Sequence, residues 1–250
     1  MSRCSRCGAE VSSDSMYCSE CGNTLLKLCF HCGSKIPLSA RFCSNCGTRY
    51  EKYEPRYDFK IPVPVEEGNV LTDMRDQQSY NTVKIGNQVW LAENFRFKMP
   101  NSYIYGANEN LLDIYGRLYT WESAKRCAPP GWHLATRKDF NELGLYCKSL
   151  NLKGRVGTML KSTSSVWKTQ GVFGPGVPGT DDVGFAANPF GGRTSAGVFN
   201  YLGSFAYFWC AEEQNEERAY YRHLSYFSGA FQELSSKKDC AFSVRLVKNQ

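Results

Sequence analysis

At 250 residues, 42% apolar and 14% aromatic, with a formal charge of +6, the chain is sized for one sizeable domain plus a small appendage and composed like a globular protein. No apolar run approaches the ~18 to 20 residues needed to cross a bilayer, which argues against a helical membrane span. The start, Met1-Ser2-Arg3-Cys4, offers no hydrophobic core for an export signal, so the expected compartment is the cytoplasm.

The cysteines fall into two populations. Eight lie before residue 47, and Cys127, Cys147, Cys210 and Cys240 are scattered beyond it. Cys4, Cys7, Cys18 and Cys21 recur as Cys29, Cys32, Cys43 and Cys46, each displaced by 25 residues, and a glycine follows each second cysteine (Gly8, Gly22, Gly33, Gly47). This is an internal duplication. Each Cys-x-x-Cys offers two thiolates from one tight turn, and the ten residues between pairs allow a short hairpin that sets the second pair opposite the first. Two structural zinc ions are expected, one on Cys4/Cys7/Cys18/Cys21 and one on Cys29/Cys32/Cys43/Cys46. Four ligands leave no open position for catalysis. Disulfides and an iron–sulfur cluster are the other readings; a chain without an export signal fits disulfides poorly, and tandem knuckles favour zinc. Two centres of four thiolates lower the formal charge to about +2, and no Lys/Arg run is present.

Residues 1–49 are therefore expected to form the metal-binding part. Residues 50–69 mix charge with Pro55, Pro62 and Pro64 and read as an extended linker, and residues 70–250 form the main domain. The run from Thr82 to Trp90, broken by Gly86-Asn87, reads as strands. Two segments read as helices: Tyr119 to Arg126, and a stretch opened by Thr136-Arg137-Lys138-Asp139, a capping-box pattern, with Phe140, Leu143 and Cys147 on one face. Short strands with two early helices give an α+β fold class.

The first fifth of the chain resembles the double zinc ribbon family, which implies an adaptor for protein or nucleic acid. From Leu71 to Lys248 the sequence resembles the Fibrobacter succinogenes major paralogous domain. The resemblance rests on Trp90-Leu91-Ala92-Glu93-Asn94, Tyr115-Gly116-Arg117, Pro130-Gly131-Trp132-His133-Leu134 and Phe242-Ser243-Val244-Arg245. It implies a C-type-lectin-like fold preceded by two small tandem zinc ribbons. Where that family carries a cysteine after Phe-Ser-Val-Arg, this chain has Leu246, so Cys127 lacks that partner. The tripeptide and Trp-Asn-Asp with which sugar-binding C-type lectins hold calcium are absent, so calcium-dependent sugar binding is not implied. Trp90, Trp121, Trp132 and Trp209 read as core, and His133 as a satisfied structural histidine.

The segment Phe199 to Phe231 holds eleven aromatic residues in 33 positions, richer than a core requires. Its alternation sets Tyr220, Arg222 and Leu224 inward and Tyr221, His223 and Ser225 outward, with Phe227, Ser228 and Ala230 on the following turn. Such a mixture is similar to an antibody paratope, where stiff amphipathic rings give contact area at small entropic cost. The stretch also resembles, in position, the diversified segment of the variable proteins of diversity-generating retroelements. Tyr221, His223, Ser225, Phe227, Ser228 and Ala230 are the candidate ligand-binding residues.

The expected function is a non-enzymatic binding protein: a protein ligand on the aromatic face, and a second protein partner on the ribbons. An enzyme on a scaffold like that of formylglycine-generating enzymes is the alternative, but no Cys/His/Asp arrangement is legible, and Asp181-Asp182 and Glu212-Glu213 read as solvated turn residues. Nucleic acid is the disfavoured partner of the ribbons. Their six cations (Arg3, Arg6, Lys27, Lys35, Arg41, Arg49) face three carboxylates and two anionic metal centres, leaving about −1.

Overall fold

The computed structural model describes residues 2–3, 10–12, 26–28, 34–37, 40–47, 65–152 and 154–249. The chain divides into two compact units, Met1–Phe59 and Lys60–Gln250.

In the first unit, β1 (Ser2–Arg3) pairs with β2 (Glu10–Val11), and β3 (Leu26–Leu28) with β4 (Lys35–Pro37), both antiparallel. The pairs Arg3↔Glu10 and Leu28↔Lys35 are offset by the same 25 residues as the cysteines, so the duplication extends to strand register. The hairpins flank the first Cys-x-x-Cys of each repeat rather than lying between the two cysteine pairs. Buried Ile36 and Cys43, with Ala40 against them, form a small apolar cluster.

The second unit is α+β, mostly strand. A six-stranded antiparallel sheet runs β11 (Trp132–Leu134), β20 (Leu246–Lys248), β8 (Gln88–Leu91), β7 (Gln78–Ile85), β6 (Val70–Asp73), β5 (Val65–Glu67). The C-terminal strand β20 thus sits between β11 and β8. The segment expected as linker differs at its end: Val65–Glu67 are a strand, because a two-residue turn at Gly68-Asn69 folds them back onto β6 through Glu66↔Leu71. Its residues 50–64 lie outside the described ones. A five-stranded sheet runs β15 (Phe199–Asn200), β14 (Gly192–Arg193), β19 (Ala241–Phe242), β10 (Leu118–Thr120), β9 (Ser102–Tyr103). A three-stranded meander is built from β16 (Phe205–Glu213), β17 (Arg218–Ser225) and β18 (Ser228–Lys237). A small hairpin pairs β12 (Gln170–Gly171) with β13 (Gly174–Pro175).

Among the described residues four α-helices accompany these sheets: α1 (Leu112–Tyr115), α2 (Trp121–Cys127), α3 (Arg137–Ser149) and α4 (Val156–Leu160). α3 starts as its sequence requires: the Thr136 hydroxyl accepts from Asp139 N, and the Asp139 carboxylate accepts from Thr136 N. Phe140, Leu143 and Cys147 are buried along one face. α2 begins later than expected. Tyr119 is a strand residue, paired with Phe242 and Ser102, because its ring packs in the core and its hydroxyl donates to Phe97 O at 2.7 Å.

Phe242-Ser243-Val244-Arg245 carries the chain from the end of β19 to the start of β20. Ser243 N donates to Tyr207 O, and Phe95 N to Val244 O. Arg245, fully buried, donates to Asn94 Oδ1 (2.9 Å), Leu91 O (2.8 Å), Phe185 O (2.7 Å) and Ala186 O (3.1 Å), and lies over the Phe185 ring. Asn94 in turn donates to Tyr115 O and Ser243 Oγ. The next residue, Gly116, has φ +75°, and a Cβ there would sit 2.8 Å from Asn94. Three of the motifs carrying the family resemblance therefore meet at one polar knot. Trp90, Trp121, Trp132 and Trp209 are all buried, and His133 is bonded at both ring nitrogens, to Asn249 and Asp139.

Candidate functional site

The meander β16–β17–β18 has two faces. Cross-strand pairing puts Phe205 beside Ser225, Tyr207 beside His223 and then Gln232, and Trp209 beside Tyr221 and then Leu234. Strand alternation sends these side chains to one face, and Ala206, Phe208, Arg222 and Leu224 to the other, into the core. On the first face the rings form a continuous array. Tyr207 lies 5.8 Å from Phe205, 5.4 Å from His223, 5.6 Å from Tyr221 and 5.0 Å from Phe242, centroid to centroid.

The array grades from core to solvent. Trp209 is buried, its indole donating to Tyr119 O. Tyr207, Tyr221 and His223 are half-buried, and at the far edge Tyr201 and Phe173 are 52% and 62% exposed, against Phe205 and Phe227 respectively. Burial pushes both the Tyr207 and Tyr221 phenols up, and neither hydroxyl has a hydrogen-bond partner among the described residues. Burial holds the His223 imidazole below its ordinary range, partly offset by its contact with Gln232 Oε1, so it is a neutral ring near pH 7. The face is thus aromatic and uncharged at its centre, with free phenol donors.

Of the six candidate residues, Tyr221 and His223 share this face, and Phe227 joins its edge against Phe205 at 6.0 Å. Ser228 begins β18, with its hydroxyl accepting from Ala230 N. Ser225, expected outward, is buried. A register irregularity between His223 and Ser225 ends the alternation where the hairpin closes, so Leu224, Ser225 and Tyr226 are buried in succession. Ala230 belongs to the opposite side, lining a cleft against α3 and α4. The sequence reading did not single out Phe205 and Tyr207, although both lie in the segment it marked as aromatic-rich. Phe173 comes from a separate loop and carried no such signal.

The acidic pairs are already engaged. Glu212 accepts from Arg137 N and Glu213 from Lys238, both at the end of β16 rather than in a turn, and Asp181 accepts from Ala186 N. Cys127, Cys147, Cys210 and Cys240 are free thiols, the first three buried. Burial pushes Cys127 and Cys210 up to about 12 and Cys147 to about 11, which opposes thiolate chemistry. Leu246, in the place of the family's cysteine, is buried in the same apolar cluster as Cys127.

Of the eight metal-ligand candidates, Cys4, Cys7, Cys18, Cys21, Cys29 and Cys32 lie outside the described residues. Cys43 and Cys46 are described: Cys43 is buried, Cys46 lies in the turn after it, and Gly47 N donates to Cys43 O at 2.9 Å. Gly47 takes φ +71°, the left-handed conformation that a knuckle glycine supplies at no steric cost. This turn, with an all-cysteine donor set, fits a zinc knuckle. Among the described residues no helix is long and apolar enough to cross a membrane.

No curated protein and no solved structure matches the chain. The double zinc ribbon matches residues 4–47, in accord with zinc binding by the first unit. The Fibrobacter succinogenes major domain matches residues 83–248, well over half the sequence. The polar knot of Asn94, Tyr115 and Arg245 falls within that match, and the chain belongs to the Fibrobacter succinogenes major domain family, with a double zinc ribbon ahead of it.

Proposed function

We propose that this protein is a non-enzymatic adaptor: its large domain captures a protein ligand on the aromatic face, and its ribbons, folded around two structural zinc ions, engage a second protein. The observation that carries the reading is the array around Tyr207, Tyr221 and His223, half-open to solvent, uncharged, and bearing unpaired phenol donors. Rings stiffened by their neighbours lose little entropy on contact, and their hydroxyls add polar recognition. A C-type-lectin-like topology is supported by the return of β20 to pair with β8 and β11, which ties the end of the domain to its beginning. Free buried thiols support a reducing compartment, the cytoplasm.

The enzymatic alternative is disfavoured by the raised thiols and engaged carboxylates, and nucleic-acid binding by the net charge of about −1 on the metal-loaded ribbons. Diversification by a retroelement is the proposed origin of the face; a coding locus without a template repeat and a reverse transcriptase contradicts it.

Photo-crosslinking tests the face. A diazirine amino acid replaces His223 in the full zinc-loaded protein, and separately the exposed Glu216, and each is irradiated in extract of the native host. The proposal predicts a discrete protein adduct from position 223 that position 216 does not form. The same adducts from both positions, or none from 223, contradict it.

A further inference from the structure

We propose that the cleft between α3, α4 and β18 is a second binding site, for an aliphatic carboxylate, on the opposite side of the meander from the aromatic face. The cleft encloses about 850 Å³, within the range of small-molecule sites. Leu145, Leu152, Met159 and Phe231 line it, and Leu145 and Leu152 remain 64% and 49% exposed. Apolar side chains left in water at a concave site gain by covering them with an apolar body.

Its charged groups carry one sign, beside the neutral amides of Asn141 and Asn151. Lys148, Arg155 and Arg222 line the cleft, and no Asp or Glu does so among the described residues. Arg222 is 7% exposed, and its Nε has no acceptor. Its Nη2 pairs with Glu233 at 2.9 Å and donates to Asn141, but Glu233 is also held by Arg137, so one carboxylate serves two guanidiniums. Lys148 and Arg155 make no ion pair with a described residue. Cationic groups beside aliphatic walls suit a single carboxylate with a hydrocarbon chain. Inorganic phosphate has no apolar body for the walls, and a neutral lipid leaves the cations unanswered.

Calorimetry on the full, zinc-loaded protein tests this with dodecanoate below its micelle concentration, against dodecanol and acetate. Dodecanoate is expected to saturate one site; dodecanol binds about tenfold or more weaker, and acetate gives no saturable signal. Gly144 lines the cleft, and a Cβ there meets nothing within 4 Å, so Gly144→Leu fills the space with little local clash. That variant is expected to lose dodecanoate binding at a thermal midpoint no lower than that of the unmodified protein, and Arg155→Gln to weaken it about fivefold. Should Gly144→Leu unfold, the exposed Arg155→Gln decides alone. No saturable dodecanoate signal, equal binding of dodecanol, or wild-type affinity in the variants overturns the proposal.

Discussion

Arg245 shows what a single side chain does in this domain. Its guanidinium satisfies the main-chain carbonyls of Leu91, Phe185 and Ala186 and orients Asn94, which in turn fixes Tyr115 and Ser243. Arg245→Ala leaves several buried acceptors without a donor, and a loss of more than about 3 kcal/mol is expected in urea unfolding. Arg245→Lys, keeping charge but not the planar fork, is expected to recover only part of it. The thiols set a pH limit. From an ordinary 9.0, burial raises Cys127 and Cys210 to about 12 and Cys147 to about 11. The unfolded chain then loses these protons first, so stability holds below pH 9 and falls toward pH 11 to 12, by about 1.4 kcal/mol per unit for each thiol. Lys161, lowered by burial from 10.5 to about 8, opposes this, its contribution rising between those values. Arg245, lowered by burial from 12.5 to about 9, opposes it as well. Together with the buried phenols of Tyr80, Tyr119 and Tyr207, which are also raised and act in the same direction, the three thiols outweigh these two bases. Tryptophan-monitored urea midpoints are expected to fall above pH 9, and a flat profile to pH 11 contradicts this. The sequence made the aromatic richness of the face legible, along with Tyr221 and His223. It did not reveal that Ser225 is buried and Ala230 faces the cleft, since both follow from an irregularity at hairpin closure that strict alternation does not anticipate.

At the scale of elements, α3 is the most legible. A capping threonine, an aspartate three residues on and apolar residues at helical spacing all agree, and the reciprocal bonds of Thr136 and Asp139 follow. Thr136→Ala is expected to cost about 1 kcal/mol in urea unfolding. Gly144, in the same helix with open space at its Cβ, is expected to give up to about 1 kcal/mol when replaced by alanine. A thermal midpoint that does not rise in Gly144→Ala contradicts that reading. The short strands were less legible. Tyr119 looked helical beside α2 but pairs in a sheet, because core packing of an aromatic ring overrides local periodicity. The Phe242-Ser243-Val244-Arg245 stretch passes between two sheets, a tertiary arrangement that no local pattern encodes.

For the whole molecule, the division of labour follows from where cysteine is used. Eight cysteines concentrate in a segment too small to bury a core, where zinc binding supplies on the order of 10 kcal/mol per site toward folding. The other four are isolated thiols in a domain held by aromatic packing and the Arg245 knot. The duplication and family were readable from spacing and motifs, whereas the aromatic face and the cleft required the sheet to be folded. The most direct measurement of this arrangement is metal content with cysteine alkylation, on protein purified under non-oxidising conditions. Two zinc ions per chain, four cysteines alkylated after unfolding without chelator, and all twelve after zinc removal are expected. Little or no zinc with most cysteines oxidised contradicts both the metal-held ribbons and the bridge-free large domain.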